Sequence, residues 1–158
     1  MSLLPFFQWL NDLAISKAIS ESAWIFAVVQ AVHLVTLAMF MGALFVVDLR
    51  LLGRGFTNQS LRQVARDAQP WLIAGFIGLI LTGIPQLLSL AIKEYNSGLF
   101  WIKMDILVVA FVFMLTIRRK ILLLDEDRIG PVWGKVVGLV STGLWLGVAI
   151  PARLIGLF

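Results

Sequence analysis

The sequence predicts an all-α integral membrane protein: a four-helix bundle with an N-terminal amphipathic helix in the membrane interface. Three observations predict it. Of the 158 residues, 60% are hydrophobic and the mean hydropathy is +0.96, more apolar surface than a soluble domain of this size needs. The apolar residues fall in runs near the roughly 20 residues that a helix needs to cross a bilayer. The basic residues gather at the ends of those runs. Despite the net charge of +4, that is a membrane-topology pattern and not a nucleic-acid footprint. Residues 1–158 therefore read as one membrane domain. The chain has no cysteine, which excludes disulfides, thiolate metal sites, Fe–S clusters and covalent haem attachment.

Residues 1–20 lack the basic start and small-residue cleavage site of a signal peptide, and they carry Asp12. As a helix they place Gln8, Asn11, Asp12 and Ser16 in a polar stripe, with Leu3, Phe6, Phe7, Leu10, Leu13 and Ala14 around it. That suits a helix lying in the interface with Trp9 among the headgroups. Ser20-Glu21-Ser22 supplies capping residues. Spans are expected at about 23–49, 70–92, 99–117 and 136–157. Gly83-Ile84-Pro85 and Ile150-Pro151 read as kinks within spans. In the first connector, Leu61, Val64, Ala65 and Ala68 predict a separate short amphipathic helix.

Orientation follows the Lys/Arg bias. The connector after the first span holds Arg54, Arg62 and Arg66, with Arg50 at its edge; the connector after the third holds Arg118, Arg119, Lys120, Arg128 and Lys135. The opposite side has Lys17, Lys93 and Arg153. The acidic run 125–127 does not alter a rule that counts Lys and Arg. A multi-pass membrane location is expected, with both termini on the outer side and both basic connectors inside. Two hexapeptides echo each other, Gly78–Gly83 in the second span and Gly138–Gly143 in the fourth. They suggest two similar hairpins about a pseudo-twofold axis, with chance recurrence of common membrane residues as the alternative.

Ionisable groups within spans mark functional sites by default. His33 is the single histidine, and helical rise places it about 25 Å above Arg50. Lys103 lies about 22 Å above Arg118 by the same rise. Gln86, Asp105 and Arg153 fall in the same outer half, so all four spans contribute to one polar layer. Gln30, Leu37, Phe40 and Leu44 share the side of His33, an apolar and aromatic face with one amide. Lys103 and Asp105 point to nearly opposite sides of their helix, so one of them needs another partner such as Arg153. Asp48 is expected at the inner edge, organising Arg50. The plainer readings are interhelical glue for His33, snorkelling for Lys103, a salt bridge for Asp105 and an anchor for Arg153. The methionines form no Met-x-x-Met cluster for copper, and one histidine cannot make a zinc site. Histidine does suit one axial position of a b-type haem.

The pattern His33-Leu34, Gly42 and Asp48-Leu49-Arg50-Leu51-Leu52-Gly53 resembles a group of uncharacterised bacterial four-span membrane proteins. More distantly it is similar to HemJ-type protoporphyrinogen oxidases and CopD-type membrane domains. His33, with Lys103 in Trp101-Ile102-Lys103-Met104, resembles the haem-associated histidine and lysine of the HemJ type. The resemblance implies a porphyrin site, so the expected function is haem b binding with an electron-transfer or porphyrin/quinone redox role. His33 would be the axial ligand to iron, Gln30 its neighbour, and Lys103 a second ligand or propionate partner. Whether the chain is itself an oxidoreductase stays open. Two other functions are weighed against this one. The first is a cofactor-free transport or binding module in which His33, Asp105 and Lys103 relay protons or hold a small solute. The second is a structural subunit of a larger membrane complex. Beyond the lipid bilayer, a homodimer or larger complex is the expected partner, because bis-histidine ligation needs a second copy.

Overall fold

The structure, a computed structural model, describes residues 3–124 and 128–155. The acidic run 125–127 and the last residues of the predicted fourth span lie outside the described residues. Among those described, every regular element is helical, and four helices are long and apolar enough to cross a membrane. They are α3 (Ala23–Leu51), α4 (Leu61–Ser89), the combined segment Gly98–Leu123, and α8 (Pro131–Ile155). The third comprises α6 (Gly98–Phe113), a π-helical turn (Met114–Arg118) and α7 (Arg119–Leu123).

The helix ends follow local chemistry. Ser22 caps α3 by accepting a hydrogen bond from Ile25 N at 3.3 Å, and Ser60 caps α4 by accepting from Gln63 N at 3.2 Å. Gly53, with φ +69°, supplies the left-handed residue that turns the chain out of α3. The predicted amphipathic helix of the first connector is not separate. It is the first part of α4, which runs through Pro70 and Pro85 without a break. Proline at a helix-interior position breaks one backbone hydrogen bond, which a long packed membrane helix tolerates. The helix that carries the second span therefore begins at Leu61.

The N-terminal segment is two helices, α1 (Leu4–Asp12) and α2 (Ala14–Glu21), separated at Leu13, whose backbone is extended in ψ at 139°. One face of the segment is open, with Phe6 and Trp9 exposed. Phe7 and Leu10 instead pack with Ala91 and Phe100, under α5 (Ala91–Asn96). Phe7 lies 5.2 Å from Tyr95 and 6.0 Å from Phe100, ring centre to ring centre. Ser16, expected in the polar stripe, is buried and donates to Leu10 O at 2.6 Å. The segment thus covers the end of the bundle nearest the N-terminus, termed the outer end.

Within the bundle α3 packs mainly on α4 and also on α8, while α6 packs on α8. The α3–α4 contact is close because two glycines permit it. A Cβ on Gly75 would sit 2.9 Å from the Phe40 backbone, and one on Gly78 would overlap the Thr36 side chain. At mid-depth each spanning helix supplies one aromatic ring. Phe40 meets Trp145 at 4.7 Å, Trp145 meets Phe111 at 5.6 Å, and Phe111 meets Phe76 at 5.2 Å. This ring layer separates an outer polar region from an inner one.

The hexapeptide echo is not a structural repeat. Gly78 approaches Thr36 on α3, whereas Gly138 approaches Asp48 and Leu51 on the same helix. Those two levels are 12 residues apart on α3, about 18 Å along the axis.

Candidate functional site

The outer region is organised by α3 and α4. Nδ1 of His33 lies 2.7 Å from Oγ1 of Thr82. Thr82 donates its own hydroxyl proton to Gly78 O, one turn earlier, at 2.6 Å. A hydroxyl has one proton, so the Thr82 oxygen accepts from Nδ1–H. This selects the tautomer in which Nε2 carries a lone pair. Thr36 donates to the His33 carbonyl at 2.9 Å and steadies the same turn. Gly83 faces the ring: a Cβ there would lie 3.5 Å from His33 Cε1. One turn above Thr82, on the same face of α4, Gln86 has a buried Nε2 with no hydrogen-bond partner among the described residues.

Lys103 reaches this region from α6, near enough for its positive charge to act on the His33 ring. It is not a free cation. Its Nζ lies 3.5 Å from Glu94 Oε2 and 4.9 Å from the centre of the Phe100 ring. Sequence reasoning missed Glu94 and Thr82. The signal for Glu94 was available, as an acid just ahead of a lysine-bearing span. Thr82 had no signal, because a threonine in a membrane helix usually bonds back to its own backbone.

The other candidates are dispersed. Gln30 is half-buried one turn above His33, and no hydrogen bond to its amide is found among the described residues. Asp105 is exposed on the outer face of α6, alongside Ile102 and Val109. It forms no ion pair within the described residues, and it does not join His33 and Lys103. Arg153 is exposed near the outer end of α8 and does not meet Asp105. The polar layer is therefore narrower than the spacing predicts: His33, Thr82, Gln86 and Lys103 with Glu94.

The inner region holds the group for which the sequence suggested another partner. Asp48 does not organise Arg50, whose Nε donates to Gln59 O at 2.8 Å. Asp48 Oδ1 instead accepts from Nε and from a terminal nitrogen of Arg118, both at 3.3 Å, and Oδ2 accepts from Thr142 at 3.2 Å. Ser141 stands beside the same carboxylate, its hydroxyl buried without a well-formed hydrogen bond. Arg118 ends the π-helical turn. A π turn inserts one extra residue into the helix and rotates the residues beyond it by roughly 100°. That rotation brings Arg118 inward, where unbroken α-helical spacing would carry it around the surface. The pair is neutral in sum and closed to solvent, a structural device and not a reactive one.

A family model described as a family of unknown function (DUF6644) matches residues 6–158, so the chain belongs to that family. No curated protein and no solved structure matches the chain.

Proposed function

We propose that this member of the DUF6644 family binds a b-type haem through Nε2 of His33 and serves an electron-transfer or porphyrin/quinone redox step in the membrane. The observation that carries the reading is the hydrogen-bond relay His33–Thr82–Gly78. A metal-ligating histidine typically donates its other ring N–H to an outer partner, which fixes the tautomer and the ring plane. His33 has that arrangement before any ligand is considered. The surrounding residues fit the group. Gly83 brings no side chain against His33 Cε1, Gln86 offers a buried amide with no partner among the described residues, and Lys103, although paired with Glu94, is a cation this region offers a propionate. A bound haem would contribute a one-electron couple.

Lys103 serves here as a charge partner and not as a second axial ligand. Its Nζ is already engaged by Glu94 at 3.5 Å and lies 4.9 Å from the centre of the Phe100 ring. Each chain then offers one strong axial ligand, and bis-histidine ligation requires a second copy. The resemblance of His33 and Trp101-Ile102-Lys103-Met104 to the HemJ-type pair adds support. The arginine bias favours an inner-membrane orientation with both termini outside. The proton-relay alternative is weaker, since Asp105 faces away from His33.

The test is an absorption spectrum of protein purified from haem-replete cells. A Soret band is expected, lost in His33→Ala. Colourless protein from such cells, or a band unchanged in His33→Ala, would overturn the assignment. Co-purification of stoichiometric partners with a colourless chain would favour the structural-subunit reading.

A further inference from the structure

A cleft of about 660 Å³ opens between α4 and the end of the third span. Four arginines line its mouth: Arg62, Arg66, Arg118 and Arg119. Arg118 is neutralised by Asp48. The other three are exposed, and no carboxylate among the described residues lies within ion-pair distance of them. The nearest acid in sequence, Asp67, lines a different groove between α3 and α4. Above the arginines the wall turns apolar, with Ile73, Phe76 and Leu115. From Arg62 to Phe76 the cleft rises about 21 Å along α4, close to one leaflet of a bilayer with its headgroup layer. The π-helical turn contributes Met114, Leu115 and Arg118 to the same wall.

We propose that this cleft binds an anionic phospholipid, its phosphate held by Arg62, Arg66 and Arg119 and one acyl chain lying along Ile73, Phe76 and Leu115. Two features make it a site and not a general basic surface. The three cations converge on one concavity, and that concavity continues into an apolar channel of leaflet depth. Basic recesses between membrane helices select anionic headgroups in this way, and forked guanidinium groups suit phosphate oxygens better than amines do. The site lies on the inner side of the ring layer, reaching it at Phe76, and shares no residue with the His33 region, so it is independent of the haem assignment.

The experiment is native mass spectrometry of the full chain, titrated with phosphatidylglycerol and, separately, phosphatidylcholine. Retained phosphatidylglycerol and little phosphatidylcholine are expected. In the triple variant Arg62→Gln/Arg66→Gln/Arg119→Gln, phosphatidylglycerol binding should fall at least about tenfold. The triple variant Arg54→Gln/Arg128→Gln/Lys135→Gln removes the same charge away from the cleft and should change binding less than about twofold. Ile73→Trp fills the apolar wall, leaves every arginine in place and should also weaken binding. That variant carries the test if the arginine triple does not fold. Inorganic phosphate at the same concentration should not displace the lipid. Equal loss in both triple variants, no preference for the anionic lipid, displacement by phosphate or unchanged binding in Ile73→Trp would each overturn the proposal.

Discussion

At the inner end of the bundle, Asp48 and Arg118 are 1% and 3% exposed and satisfy one another, with Thr142 taking the second carboxylate oxygen. At the outer end His33 is half-buried, and neither its Nε2 nor the Gln86 amide beside the same helix face has a hydrogen-bond partner among the described residues. Both regions place polar groups inside spans, where they are costly. The inner one closes on itself as an ion pair between two helices and a π turn, with the Ser141 hydroxyl beside it left without a well-formed hydrogen bond. The outer one is oriented but incomplete. Packing separates the two in the same way: α3 is largely buried from Phe40 to Leu51 and largely open from Ala23 to Met39. A saturated buried pair locks a bundle. An oriented group with an open valence is what a ligand needs.

Substitutions should break this contrast unequally. The largest effect is expected inside the closed cluster. Arg118→Ala strands the Asp48 carboxylate and should cost about 3–5 kcal/mol, read as a fall in the unfolding midpoint in detergent. Replacing both partners, Asp48→Asn with Arg118→Met, should recover most of that loss, because no unpaired charge remains. Next comes the glycine contact that brings α3 and α4 together. In Gly75→Ala the new methyl meets the Phe40 backbone, which cannot turn away as a side chain could. A loss of about 1–3 kcal/mol is expected by the same measurement.

The outer region should respond in ligand binding more than in stability. Thr82→Val keeps the β-branched shape but removes the acceptor for Nδ1–H. It should cost about 0.6–2 kcal/mol of stability, while haem occupancy in a titration falls about 10–100-fold. Equal effects on both readouts would remove the distinction between a locking region and a binding region. The smallest effect is expected from Lys17→Ala, whose pair with Asp12 at 3.7 Å is open to water. Thermal unfolding should move by less than about 0.5 kcal/mol.

The site was only partly legible in the sequence. His33 and Lys103 stood out because ionisable residues are rare in apolar runs, and depth could be counted from the arginines that end each span. Thr82 and the Asp48–Arg118 pair could not be read. Each depends on which face of one helix meets which face of another. The Asp48–Arg118 contact joins residues 70 positions apart, and a π turn that no sequence pattern announced sets the facing of Arg118. Asp105 shows the converse: its type and depth resembled those of the site residues, but its facing placed it outside.

By itself the sequence determined that four apolar helices would form, roughly where they begin and end, and which residues would lie at each depth. Apolar length and helical rise are local properties of the chain, and they suffice for that. Only the tertiary structure decided which polar groups would meet. Rotation of each helix about its axis is set by close approach at Gly75 and Gly78, by the aromatic ring layer and by the π turn before Arg119. A rotation of half a turn costs nothing in hydropathy, yet it exchanges a buried partner for lipid.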